Sequence, residues 1–448
     1  MLCDRSEKMG ENTKSKKLTR KDLFSMSIGN IIGVGIMTMT GIAIGFTGRS
    51  VNISFLIAGL ITIVSAIPQV YIGGTANFKG GQYSQIAVLG NKKLAGVYIY
   101  LQIMMAVAIS MYTLSFADYF ISIIPGANAK LISLVVLTLL FCLHLIGTKE
   151  AARLQNILCV VLALAIAAYI AFGITHIQPG YFSNPGFITD GVTGFLMACI
   201  YLSFAAGGAT FIVNYSAESE NPTKDIPFVI IASTAAIVVV YAIMATIAAG
   251  TIPVEEAANM PLSVSAVTFM PKSVYTFFVV GGAMFALLTT LNFSIGMLVQ
   301  PVLVACNDGW LPKSLAKRNK KFGTAHIILI CLYIMSIFPI ICGMDITTVA
   351  NSTAILTTAI RGIICFIALS LPKKMPELWG KSALHVSDTK LKVISWVGIV
   401  CAVISVILLF VTSDPAQLCC NGGMLLIALI LVFARHKKVN LSTGYSEL

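Results

Sequence analysis

Ile28-Gly29-Asn30-Ile31-Ile32-Gly33-Val34-Gly35-Ile36 lies in the first long apolar stretch of the chain, and Phe204-Ala205-Ala206-Gly207-Gly208-Ala209-Thr210 lies in the sixth. Each stretch is long enough to cross a bilayer, and each is interrupted by glycines near its middle. In lipid every backbone N–H and C=O needs a partner, so irregular backbone survives at that depth only where it lines a cavity. One glycine pair would say little, because small residues also pack membrane helices together. Two pairs at corresponding places in two halves of a chain point to a binding site between inverted repeats. The two stretches are five spans apart, and an odd repeat length turns the second half upside down. Spans 1–5 and 6–10 are therefore read as inverted repeats, with helices 1 and 6 unwound at mid-membrane.

Composition supports an all-α integral membrane protein. Of 448 residues, 57% are hydrophobic and 11% charged, against roughly 25% charged in a soluble domain. A span takes about 20 apolar residues, and twelve stretches qualify: 23–48, 51–76, 94–124, 130–147, 154–175, 191–217, 226–250, 273–305, 324–343, 346–371, 391–412 and 417–434. This divides the chain into a disordered head (1–22), repeat 1 (23–175), repeat 2 (191–371), two added helices (391–434) and a tail (435–448). The first span is too long, and its head too extended, for a cleaved signal peptide. Twenty-six Lys and Arg fall in segments on the N-terminal side and three, Arg49, Lys130 and Lys272, on the other. This asymmetry predicts both termini in the cytoplasm of a multi-pass plasma-membrane protein. The charge of +12 then reflects topology, and a nucleic-acid partner, which needs a basic face on a soluble fold, is not expected. The eleven cysteines form no CxxC, and neither a metal site nor a cofactor is read from them.

Four motifs, taken in order, resemble the amino acid–polyamine–organocation (APC) superfamily of permeases over about residues 20–435. Ile28–Ile36 is similar to its "IGxxIGxGI", and Gly80-Gly81-Gln82-Tyr83 after span 2 to its "GGxY". Glu218-Ser219-Glu220-Asn221-Pro222-Thr223-Lys224-Asp225-Ile226-Pro227 after span 6 is similar to "ExxNPxxxIP". Asp308-Gly309-Trp310-Leu311-Pro312, with Ala316-Lys317, is similar to "DGxLPxxxAK". The last three fall in loops as turn and helix-start chemistry, and are read as hinges and gate supports. The resemblance implies secondary transport of amino acids by alternating access, as symporter or antiporter.

The expected site is Ile32, Gly33, Val34 and Gly35 on span 1 with Phe204, Ala205, Ala206, Gly207, Gly208 and Thr210 on span 6. N–H groups opening the outer half of span 1 suit a carboxylate, and freed carbonyls of span 6 suit an ammonium. The family often reads "FAYxGFE" here, so Ala206 and Ala209 replace rings and Thr210 replaces an acid. Loss of the rings predicts a wider pocket or a gate from another helix, and loss of the acid favours neutral amino acids over polyamines or basic ones.

A lysine that some members carry in span 5 is Leu162 here. Thr289 and Thr290 of span 8, with the carbonyls of Gly29 and Ile32, could hold Na⁺, since hard cations take several oxygens; Thr also commonly bonds its own helix. Ion-independent exchange and a proton route are the other options. Arg361, the single basic residue within a span, is read as bordering the pathway, the other reading being that it snorkels to the cytoplasm. If it faces the pocket, acidic substrates gain weight. Asp118 and His144 are read as an interfacial acid and a satisfied bundle histidine, the other reading being a proton relay. The five histidines are isolated and no HExxH or paired-acid motif lies in a span, so an enzyme is not expected. A channel or a nutrient sensor on the same fold remains an alternative, because fold does not fix function.

Overall fold

The computed structural model describes residues 17–33, 35–183, 186–343, 346–411, 413, 415–441 and 445–446. It is helical along most of that length, with one two-stranded pairing, Asn77–Phe78 antiparallel to Tyr445–Ser446. Nine of the described helices are long and apolar enough to cross a membrane, and His326–Cys342 and Ile355–Ala368 are shorter apolar helices. Their surfaces carry large apolar side chains with nothing against them: Val192 is 74% exposed, Leu139 and Ile341 each 65%. Water would penalise such a surface at roughly 25 cal/mol per Å²; lipid tails do not. The molecule is an all-α, multi-pass membrane protein.

Helices follow the expected spans closely. Val51–Thr75 is span 2, Lys92–Met104 with Ile109–Ile123 span 3, Ala129–Ile146 span 4, and Thr148–Gly173 span 5. Span 7, Pro222–Thr251, begins four residues before its apolar run, because Pro222 occupies the first turn, where a missing N–H costs nothing. Pro227, read from sequence as first-turn, therefore sits a turn deeper. Span 8 runs from Lys272 to Asp308 through a π-helical stretch, Phe278–Met284.

Spans 1 and 6 are both broken. Span 1 is an α-helix from Arg20 to Ile31, extended backbone at Ile32, a π-helical turn from Gly35 to Met39, and an α-helix from Thr40 to Thr47. Val34 lies outside the described residues. Span 6 is α-helical from Gly191 to Ala205 and 3₁₀-helical from Gly207 to Glu218. A 12-residue 3₁₀ run is unusual, since such runs seldom exceed about 4 residues.

The end of the expected head, residues 17–22, is ordered. Leu18 N–H donates to Glu218 O (2.7 Å) and Glu220 N–H to Leu18 O (3.0 Å), a bridge that pins the chain entering span 1 to the end of span 6. Thr19 and Asp22 then form a reciprocal capping box. Arg20 pairs with Asp225 at 2.7 Å, and Lys149 with Asp22. Burial alone would raise the Asp22 carboxyl, but hydrogen bonds from Lys149, Thr19 and Asn156 outweigh it and hold it down at about 2.

The loop motifs meet at this same face. Gly81 takes φ +57, a conformation L-residues rarely adopt, and Asn214 of span 6 packs directly on it, with Asn214 Cα 2.5 Å from where a Cβ would stand. Gln82 N–H donates to Asn214 Oδ1 (3.0 Å). Tyr83 O–H donates to Asp308 Oδ2 (2.6 Å) and Tyr100 O–H to Trp310 O (2.7 Å), so the second and fourth motifs lock together.

Candidate functional site

The two breaks abut. A Cβ on Gly35 would lie 3.1 Å from Ala205 Cβ and 3.2 Å from Ala205 Cα. Asn30 Nδ2, at the end of the first half of span 1, donates to Gly208 O at 2.8 Å. Glycine is what allows this approach: any side chain at Gly35 or Gly208 would meet backbone of the other helix.

A cavity of ≈ 210 Å³ lies at this junction. Of the expected site residues, Gly33, Gly35, Phe204, Ala205, Gly207 and Gly208 line it. Thr290 lines it too, and so does Arg361. Ile32 contributes only a carbonyl that faces Thr290. Ala206 is fully buried and Thr210 is 7% exposed, and neither lines the cavity.

Arg361 lies with its guanidinium against the Cα of Gly207, where any side chain would collide with Nη2. Among the described residues no hydrogen bond or ion pair holds it. It also borders a second, more apolar cavity of ≈ 280 Å³ formed with Met39, Phe204 and span 11.

Several wall residues carried no signal in the sequence. Tyr112 and Gln102 come from span 3, Phe211 from span 6, and Ser294 and Met297 from span 8. Gln102 is fully buried, and neither atom of its amide has a partner. Buried amides are nearly always paired, and this one lines the cavity. Phe211 and Tyr112 supply the rings that Ala206 and Ala209 lack.

The candidate ion oxygens do gather. Thr290 Oγ1 lies 2.9 Å from Gly29 O and 3.4 Å from Ile32 O, and Thr289 Oγ1 lies 3.1 Å from Gly29 O. Four oxygens of this kind suit a hard cation. Beside them, however, the Gln155 amide nitrogen packs on Gly29 with no acceptor, a donor that does not suit a cation. Both hydroxyls also lie within bonding distance of Ala286 O in their own helix, at 2.8 and 3.0 Å.

A polar vestibule of ≈ 480 Å³ opens on the face where the N-terminal segment lies. His144, Glu218 and Gln300 line it, together with charged groups at the head of span 5. Glu218 Oε1 accepts from Gln300 Nε2 (2.9 Å) and Thr148 Oγ1 (3.1 Å). Asp118 is exposed, near the opposite end of span 3. Among the described residues no group of three or more His, Cys, Asp or Glu is placed to hold a metal ion.

The profile of the family described as "Amino acid permease" matches residues 18–434. The methylthioribose transporter of Bacillus subtilis is 26% identical over 399 residues, covering 83% of this chain and 85% of that one. The branched-chain amino acid permease BcaP of the same organism is 26% identical over 343 residues, covering 71% and 73%. The cystine/glutamate transporter of Homo sapiens is 24% identical over 380 residues, covering 81% and 75%. With a match that runs from the first capped turn to the end of the last helix, across both broken spans, the chain belongs to the amino acid permease family, whose members are transporters and not enzymes.

Proposed function

We propose that this protein carries neutral amino acids across the plasma membrane by alternating access. The zwitterion is held between the broken spans, its carboxylate at the start of the outer half of span 1 and its ammonium at the carbonyls around Phe204–Gly208. One observation carries the reading: Gly35 against Ala205, and Asn30 on Gly208, bring both breaks to the wall of one cavity. Twelve crossings in a 5+5 inverted repeat plus two helices, with both termini cytoplasmic, accord with the lysine and arginine count. On that orientation the N-terminal face, with its vestibule, is the cytoplasmic one. Branched-chain permeases among the relatives favour neutral substrates.

A second reading, acidic amino acids, rests on Arg361. A guanidinium on the cavity wall with no ion pair among the described residues would bind a side-chain carboxylate through charge-assisted hydrogen bonds, and one relative is named for glutamate.

The experiment is counterflow in liposomes containing the purified protein, against each of the twenty amino acids, with and without Na⁺ and a pH gradient. Saturable counterflow of neutral amino acids is expected. Counterflow confined to glutamate and aspartate would select the second reading. Conductance without saturation, or binding without movement, would make the protein a channel or a sensor.

A further inference from the structure

We propose that His144 is the proton-carrying group of this transporter, set on the wall of the polar vestibule and joined to span 1 through Asn292 and Gln155. The inference rests on the transport reading above and adds the coupling ion to it.

His144 is 4% exposed and lines the vestibule. Its Nε2 lies 2.9 Å from Asn292 O and 3.0 Å from Asn292 Oδ1. The orientation of the Asn292 amide is fixed from its other side, where Nδ2 donates to Ala151 O (3.0 Å) and Gln155 Oε1 (2.8 Å). Both neighbours of Nε2 are therefore acceptors, and Nε2 must carry the hydrogen. That leaves Nδ1 as the basic nitrogen, and among the described residues it accepts no hydrogen bond. Proton uptake forms one N–H bond at Nδ1, with the proton taken from water in the vestibule, and changes no other bond. The ring becomes an imidazolium and pulls harder on Asn292.

The far end of the chain is the transport machinery. Gln155 is fully buried, takes the Asn292 hydrogen bond, and packs its free amide nitrogen on Gly29. Gly29 O accepts from Thr290, which lines the substrate cavity. Hydrogen bonds thus run from span 4 through span 8 to Gln155 of span 5, whose amide nitrogen packs on Gly29 of span 1 without bonding it. Charge on His144 acts on the contact between span 1 and span 8 that an alternating-access carrier must break and remake.

The other titratable groups around the ring are accounted for. Lys149, Glu150 and Arg153 of span 5, Glu218 of span 6, and Lys17 and Arg318 share the vestibule. Tyr215 approaches across Gly296, where His144 Cε1 lies 2.9 Å from a would-be Cβ, and its O–H is engaged by Phe293 O at 2.8 Å. Span 3 brings Tyr112 and, toward the opposite face, Asp118 and Tyr119. Span 9 brings His326 and Tyr333, the latter bonded to Thr138. Among the described residues the ring is hydrogen-bonded by Asn292.

The test uses the full protein in liposomes, with a radiolabelled mixture of the twenty amino acids and pyranine trapped inside as a pH reporter. In the wild type, one pH unit, acid outside, should raise accumulation about tenfold, the driving force of one proton, and substrate addition should acidify the lumen. His144→Gln should lose both responses, and Gln155→Leu, which removes the acceptor for Asn292, should lose both as well, each response being read relative to that variant's own counterflow at equal pH. Either variant keeping the full pH response, or a wild type with counterflow and no pH response, overturns the proposal while leaving the transport reading intact. If His144→Gln does not fold, Gln155→Leu decides alone. A wild type without counterflow would bring down the transport reading, and this proposal with it.

Discussion

Gly208→Ala puts the smallest possible wedge between the two broken helices. The new Cβ would stand 2.8 Å from Asn30 O and 3.0 Å from Asn30 C. Ordinary contact begins at 3.4 Å, so span 1 and span 6 must separate by about 0.6 Å. The neighbour is backbone and has no rotamer to swing away, and the Asn30 Nδ2 to Gly208 O bond, now 2.8 Å, lies in the path of that displacement. Overpacking of this kind costs about 1–3 kcal/mol, equivalent to about 5- to 150-fold in the population of the state in which both helices grip one solute. The initial rate of counterflow should fall by that factor, with size-exclusion profile and detergent Tm showing a folded protein. Gly423→Ala in span 12, where nothing lies within 4 Å, is the control and should transport normally. A folded Gly208→Ala protein with wild-type counterflow would refute the idea that substrate is held where these two breaks touch.

Three further outcomes follow from the same geometry. Arg361→Ala removes a guanidinium from the cavity wall and should cut uptake about tenfold or more, the size of one charged hydrogen bond, with expression intact; unchanged uptake would remove Arg361 from the pathway. Gln102→Leu replaces an unpartnered buried amide by an apolar group of similar length, so the substrate-free protein should gain about 1–3 kcal/mol in stability while substrate affinity falls; a rise in both would contradict a role for the amide in binding. The folded Asp22 carboxyl is held at about 2, below its unfolded value, so its contribution is complete above about pH 4 and is lost as pH falls through about 2. Asp22→Asn should therefore be less stable than wild type at pH 5 by about 2 kcal/mol, with the gap closing toward pH 2 in thermal unfolding in detergent.

The helix breaks and the motif loops were legible because both depend on backbone. Gly33, Gly35, Gly207 and Gly208 declare a place where chains come close, and apolar length alone outlines the spans. The four motifs indicated the family before any contact was known. Side-chain identity at the cavity was less legible. In a chain that is 57% hydrophobic, Gln102, Tyr112, Phe211 and Met297 have no local pattern to set them apart, and only tertiary packing turns them inward. Thr210 shows the converse: the motif resemblance puts it at the site, yet it is buried and does not line the cavity. His144 was read as a satisfied bundle residue. Its Nε2 is satisfied, but the vestibule at its side is made by segments distant in sequence, Lys17, Glu218 and Arg318 among them.

That long 3₁₀ run has one more effect. With three residues per turn, every third side chain falls in a straight file, and one such file is Gly208, Phe211, Asn214 and Ala217. Gly208 and Phe211 stand on the cavity at the helix breaks, Asn214 is clasped by the Gly81-Gln82 turn, and Ala217 stands on the vestibule. An α-helix would have carried Ala217 about half a turn around the axis, away from the others. Two chambers therefore share a single edge of one half-helix, along which Phe211 is the bulky side chain between the cavity at the helix breaks and the vestibule.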